Sequence, residues 1–171
     1  RRSSDLKTLK YLGALFNEEG SCEEEIENRI GAASKVIGAM RSEVLERREL
    51  SKGTKMKVYN AMVVPTLLYG CETWTILKRH ESRLQAAEMR YLRRVEGVAK
   101  LDRVRNEAIR QRLKQEAIVE VARKKRRAWK EKVDDMEEAR LVRRVYSEEV
   151  TGRRPRGRPR MRWTDRSEER R

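Results

Sequence analysis

The stretch SCEEEIENRIGAASKVIGAMRSEVLERR, residues 21–48, decides the fold class. Ile26, Ile30, Ala33, Ile37, Met40 and Val44 recur at alternating steps of four and three, which lays one narrow apolar stripe along a long α-helix. Ser21 stands three residues before Glu24, a capping-box spacing that satisfies the first free amides of a helix. The pattern fades near Arg48.

Outward from this helix the same period returns twice. Residues 51–69 predict a second helix with Met56, Tyr59 and Val63 inward, a kink or break at Pro65 and an end at Gly70. Past Trp74 a third runs from Arg79 to Val95, with Leu84, Ala87, Tyr91 and Val95 on one face. No amphipathic stripe can hide itself, so the three helices are expected to pack as a bundle over residues 21–97. Upstream, residues 8–16 are β-prone and partly alternating, and they end at the turn-like Asn17-Glu18-Glu19-Gly20, which predicts a short strand or hairpin within residues 1–20. Downstream, residues 104–113 and 118–136 read as helices with thinner stripes (Ile118, Val121, Trp129, Val133, Met136), followed by a short helix over 138–150. These make a basic helical extension, residues 98–151. From 152 to 171 the helical pattern gives way to Gly-Arg-Arg-Pro-Arg-Gly-Arg-Pro-Arg, expected to be disordered until a partner binds. The expected fold class is mainly α: an N-terminal β-strand or hairpin, a three-helix bundle, extended basic helices and a disordered Arg-rich tail.

Composition narrows the function. Charged residues make up 42% of the 171 and aromatics 5%, and the hydrophobic share of 37% falls below the roughly 45–50% of an ordinary domain. Such a chain can bury a modest helical core. Lys and Arg total 43 against 28 acids, a net charge of +15, which attracts polyanions. Residues 123–171 alone hold 19 basic and 10 acidic side chains. RNA or DNA is the expected partner, and no small-molecule substrate or cofactor is expected. The longest apolar run, residues 61–69, contains Pro65 and Thr66 and is far short of the about 20 apolar residues of a membrane span, so no membrane partner is expected. Cys22, Cys71 and His80 are too few and too scattered for a structural zinc site, which needs four ligands. The cysteines read as reduced packing residues of an intracellular chain, nuclear or cytoplasmic, and His80, in Lys78-Arg79-His80-Glu81, as a solvated surface residue.

Three motifs carry a resemblance. Lys10-Tyr11-Leu12-Gly13, followed by Phe16-Asn17-Glu18-Glu19-Gly20, resembles the primer grip that follows the palm in reverse transcriptases of non-LTR (LINE-type) retrotransposons. Leu67-Leu68-Tyr69-Gly70-Cys71-Glu72-Thr73-Trp74-Thr75 is similar to a segment of their thumb. Arg140 to Tyr146, then residues 152–163 and Asp165, looks like their arginine-rich C-terminal stretch. Order and spacing agree across nearly the whole chain, although Trp129-Lys130-Glu131-Lys132 departs from a Trp-x-Gly-His stretch common in the family. The resemblance implies a thumb-like bundle that holds template-primer. It also implies that the metal-binding aspartates of the palm, chiefly a Tyr-x-Asp-Asp turn, would precede the grip. The ten residues before Tyr11 hold one acid, Asp5, and Asp134-Asp135 reads as a solvated helix face. The chain is therefore expected to be a fragment that is not an enzyme, with no catalytic or metal-binding residues.

The candidate nucleic-acid contacts follow from charge and ring chemistry. Lys10 offers a cation to phosphate and Tyr11 a ring to a sugar or base, with Gly13 in the turn beside them. Leu12 is expected to pack under the first helix, and Trp74 to be a packing anchor beside Tyr69. Arg123, Lys124, Lys125, Arg126 and Arg127 form a phosphate-binding helix face that can also serve as an import signal. Arg153, Arg154, Arg156, Arg158 and Arg160 form a polyanion tether. Pro155 to Pro159 also matches an AT-hook core, whose arginines enter a narrow minor groove, so an AT-hook-like DNA-binding protein is the alternative, and a helical protein-interaction module the next.

Overall fold

A computed structural model describes residues 8–18, 20–148 and 163. Strands β1 (Thr8–Tyr11) and β2 (Ala14–Asn17) form an antiparallel hairpin, and the helices are α1 (Glu23–Ala39), α2 (Lys52–Val58), α3 (Val64–Leu67), α4 (Lys78–Glu96), α5 (Asn106–Leu113), α6 (Ile118–Asp134) and α7 (Leu141–Ser147). The architecture is mainly helical with a short N-terminal hairpin, as the periodicity predicts. The expected disorder of residues 152–171 lies outside the described residues, Trp163 excepted.

Helix α4 occupies the centre, packed against α1, α2, α5 and α6. Its stripe of Leu84, Ala87, Tyr91 and Val95 is buried, and so are its flanks Met89 and Leu92. Tyr91 stacks beside Tyr59 with ring centroids 5.0 Å apart, and its hydroxyl donates to the Lys55 carbonyl at 2.7 Å. Gly97 ends α4 in the left-handed region at φ 76°, with the Val98 amide bonded back to the Arg93 carbonyl and its own amide to Arg94. This is the paired closure of a Schellman motif.

Two helices differ from the periodic expectation through one device. The first stops as an α-helix at Ala39 and continues as a π turn, Arg41–Leu45, instead of running regularly to Arg48. A π turn adds one residue to the ring and shifts the stripe by one position, so Leu45 is buried and Val44 only half-buried. The second begins as expected at Ser51, whose hydroxyl accepts from the Thr54 amide at 3.1 Å. It is not broken by Pro65. A π turn at Tyr59–Val63 lies just ahead of the proline, and the Val64 amide bonds to the Tyr59 carbonyl five residues back. The wider turn makes room for a ring that lacks an amide and would crowd the carbonyl four residues earlier. The capping-box reading at Ser21 shifts too: Cys22 is the N-cap, and the Ser21 hydroxyl accepts from the Glu23 amide at 3.3 Å.

Residues 98–122 are not a loose annex to the bundle. Ile109, Leu113, Ile118, Val119 and Ala122 join the same core as α1 and α4. One polar junction locks the join. Glu88 of α4, fully buried, accepts from Arg110 of α5 at 2.6 and 3.1 Å and from the Ile118 amide at 3.0 Å, at the first residue of α6. A carboxylate there also faces the positive end of the α6 dipole. Burial raises the Glu88 carboxyl above its ordinary range, against the pull of Arg110 and the Ile118 amide.

Candidate nucleic-acid interface

The hairpin turns through Leu12 and Gly13, both at positive φ (47° and 83°), as a two-residue turn with the right twist requires. Gly13 supplies that conformation without strain, whereas Leu12 adopts it with a side chain attached. Polar contacts then fix the turn to the bundle. The Tyr69 hydroxyl donates to the Leu12 carbonyl at 2.8 Å, and the Arg29 guanidinium donates to the Gly13 carbonyl. Arg29 also stacks over the Tyr69 ring, 4.4 Å from its centroid, and pairs with buried Glu25 at 2.5 Å, while Glu25 accepts from the Leu15 amide at 2.8 Å.

This docking leaves the outer face bare. Leu9 and Tyr11 on β1 lie on the same side as Phe16, which pairs across to Leu9, and all three are exposed. Tyr11 is 62% exposed, and Lys10 is exposed on the alternate side. Leu12 corrects an expectation. It stands at the tip, 75% exposed, and does not pack under α1, because the left-handed turn aims its side chain outward while its carbonyl faces the bundle.

The basic run of α6 is distributed around the helix. Arg123 pairs with Glu81 at 2.8 Å and Glu120 at 2.5 Å, and Lys124 with Glu116 at 2.7 Å. Lys125 lies 3.9 Å from Glu72, Arg126 points towards Trp163, and Arg127 is exposed. Several of these cations thus have acidic neighbours within the chain. Lys10, Tyr11 and Gly13 belong to the hairpin, which packs on α1, whereas the basic run lies on α6, which packs on α4, on α7 and on the turn Cys71–Thr73. Arg153, Arg154, Arg156, Arg158 and Arg160 lie outside the described residues.

Trp163 is the residue that periodicity missed. Its indole Nε1–H donates to the Glu72 carbonyl at 2.8 Å, and its ring meets Tyr146 edge-on at 5.8 Å. Arg126 lies 5.2 Å from the ring centroid and donates to the Trp163 carbonyl at 3.1 Å. A single large aromatic in a run of arginines was the available signal.

His80 also corrects its expectation. Only 2% exposed, it accepts the Leu77 amide at Nδ1 (3.2 Å), capping α4, so Nε2–H is the donor to Glu23 at 2.8 Å. That bond, with help from Arg79, holds the Glu23 carboxyl below its ordinary value. A lowered carboxyl stabilises the fold above the unfolded value near 4.5 and loses that contribution as pH falls through the folded one. The Tm gap between the parent chain and Glu23→Gln is therefore expected to be full at neutral pH and to shrink as pH drops below about 4.5 in a thermal-melt series. The cysteines fit packing roles. Cys71 is buried, which pushes its thiol up to about 12, and half-buried Cys22 is raised for the same reason. Trp74 is buried as a packing anchor. Among the described residues no helix is long and apolar enough to cross a membrane, and no cluster of His, Cys, Asp and Glu is arranged to hold a metal.

Over 92 residues the chain is 27% identical to the RNA-directed DNA polymerase from mobile element jockey of Drosophila melanogaster. The match supports a distant reverse-transcriptase relationship. It covers 53% of this chain and 10% of that protein, so the chain spans at most a small part of the relative's length in the match. No protein-family model and no solved structure matches. The comparison overturns one expectation: the missing aspartates suggested a chain that is not an enzyme, whereas the protein it resembles is an enzyme.

Proposed function

We propose that this chain is the primer-grip and thumb part of a retrotransposon-type RNA-directed DNA polymerase, and that it holds template-primer. The observation that carries the reading is the 2.8 Å bond from Tyr69 to the Leu12 carbonyl. It joins two separate motifs of the resemblance, the grip-like turn and the thumb-like segment, into one unit. The unit keeps Lys10 and Tyr11 exposed while their backbone is held from behind by Tyr69 and Arg29. A cation and a ring on the two faces of a braced strand end suit a phosphate and a sugar or base at a duplex end.

The test is fluorescence anisotropy with a labelled RNA–DNA hybrid carrying a recessed primer end. Lys10→Ala together with Tyr11→Ala is expected to weaken binding about tenfold or more, since one stacked ring alone contributes roughly 1–3 kcal/mol. Circular dichroism should be unchanged, because neither side chain is buried. Equal affinity of parent and double variant for the hybrid contradicts the reading.

A further inference from the structure

We infer that the slot under Trp163 is a nucleobase site, which the chain's own tryptophan occupies in cis. Its walls come from three parts of the fold: the Glu72 carbonyl in the short 3-10 turn Cys71–Thr73, Arg126 on α6 and Tyr146 on α7. Each contact that Trp163 makes has a counterpart in a single-stranded nucleotide. The indole Nε1–H at 2.8 Å from the Glu72 carbonyl stands where an exocyclic amine or ring N–H of a base would donate. The ring plane, with Arg126 at 5.2 Å and Tyr146 edge-on at 5.8 Å, stands where the base itself would lie. The Trp163 carbonyl, which accepts from Arg126 at 3.1 Å, occupies the position of a phosphate or sugar oxygen.

The surroundings match a polyanion. Lys124 and Lys125 are exposed on the same helix, one turn or less from Arg126, where a phosphate would compete with their acidic neighbours Glu116 and Glu72. Six arginines precede Trp163 from position 153 onward with no acid among them. An incoming base would therefore exchange with the Trp163 ring.

The inference rests on the nucleic-acid-binding reading, and the experiment separates the two. Affinities of the full chain are measured by anisotropy for a short oligodeoxyadenylate and for an abasic strand of equal length and charge. Trp163→Ala empties the slot and is expected to raise the ratio of the two affinities, base-bearing over abasic, about fivefold or more, because an edge-on ring contact and a guanidinium beside the ring together contribute roughly 1–2.5 kcal/mol. Trp163→Phe keeps the ring, loses the N–H bond to Glu72 and should fall between. Adding Tyr146→Ala to Trp163→Ala should return the ratio to that of the parent chain. A ratio unmoved by Trp163→Ala, or one that stays high without Tyr146, overturns the inference while hybrid binding persists. Failure of the parent chain to bind the hybrid as well as both strands overturns the functional reading together with it.

Discussion

Arg110→Ala is expected to destabilise the chain by about 3–5 kcal/mol in urea denaturation, since it strands a fully buried carboxylate. Glu88 would keep only the Ile118 amide as partner, in a site where burial already disfavours its charge. The sign of the pH dependence follows. A carboxyl whose folded value is raised favours folding below its unfolded value and works against it as pH climbs through the folded one. The deficit of Arg110→Ala should accordingly be smaller near pH 4 than at pH 7. Replacing both partners by apolar residues of similar volume, Glu88→Met with Arg110→Leu, should recover most of the loss, because the desolvation cost disappears with the charges. A double variant no more stable than Arg110→Ala would show that the junction acts through shape and not through charge.

Deleting residues 152–171 is expected to have the largest effect on binding. The six arginines from 153 to 162 carry no acid between them, and each phosphate neutralised on duplex contributes about −0.9 to the slope of log affinity against log salt. The truncated chain should show a slope flatter by several units, with an affinity loss that vanishes towards high salt. Arg156→Ala with Arg158→Ala distinguishes a tether from an AT-hook. A tether loses about two units of slope equally on A/T-rich and G/C-rich duplexes. A selective loss on A/T-rich DNA would instead favour minor-groove insertion. A slope unchanged by the deletion would rule out phosphate contacts from this segment altogether.

Where the sequence was legible, the reason was spacing. Leu84, Ala87, Tyr91 and Val95 declare one face of α4 because helical geometry alone brings them together, and all four are buried. A short β element was legible from alternation, but the turn residues read at 17–20 follow the hairpin, whose own turn falls inside the segment at Leu12-Gly13. What could not be read depends on partners distant in the chain. Glu88 sits four residues after Leu84 and three before Tyr91, on the apolar face, yet its partner Arg110 is 22 residues further on. His80 sits among charged neighbours and reads as solvated, while Glu23, 57 residues away, accepts a hydrogen bond from its buried ring. For the candidate interface, the exposure of Lys10 and Tyr11 was anticipated, whereas the bracing of their turn by Tyr69 and Arg29 needed the tertiary fold. The five consecutive cations of α6 looked like one surface, but a helix turns about 100° per residue and sends them to different neighbours.

The π turn at Tyr59–Val63 means that the helix leading to Tyr69 carries a spare residue. A π turn is an inserted position: the sequence stripe shifts by one across it, while the α-helical segments on either side keep their direction in space. Shortening the chain by one there would keep Met56 and Leu67 facing the core yet return the segment to ordinary winding. Pro65 would then press on the carbonyl four positions back and bend the helix at that point. The bend would travel to Tyr69 and pull its hydroxyl away from the hairpin turn that it holds. The spare residue would then be the slack in a lever arm that ends at the phenol bracing the turn.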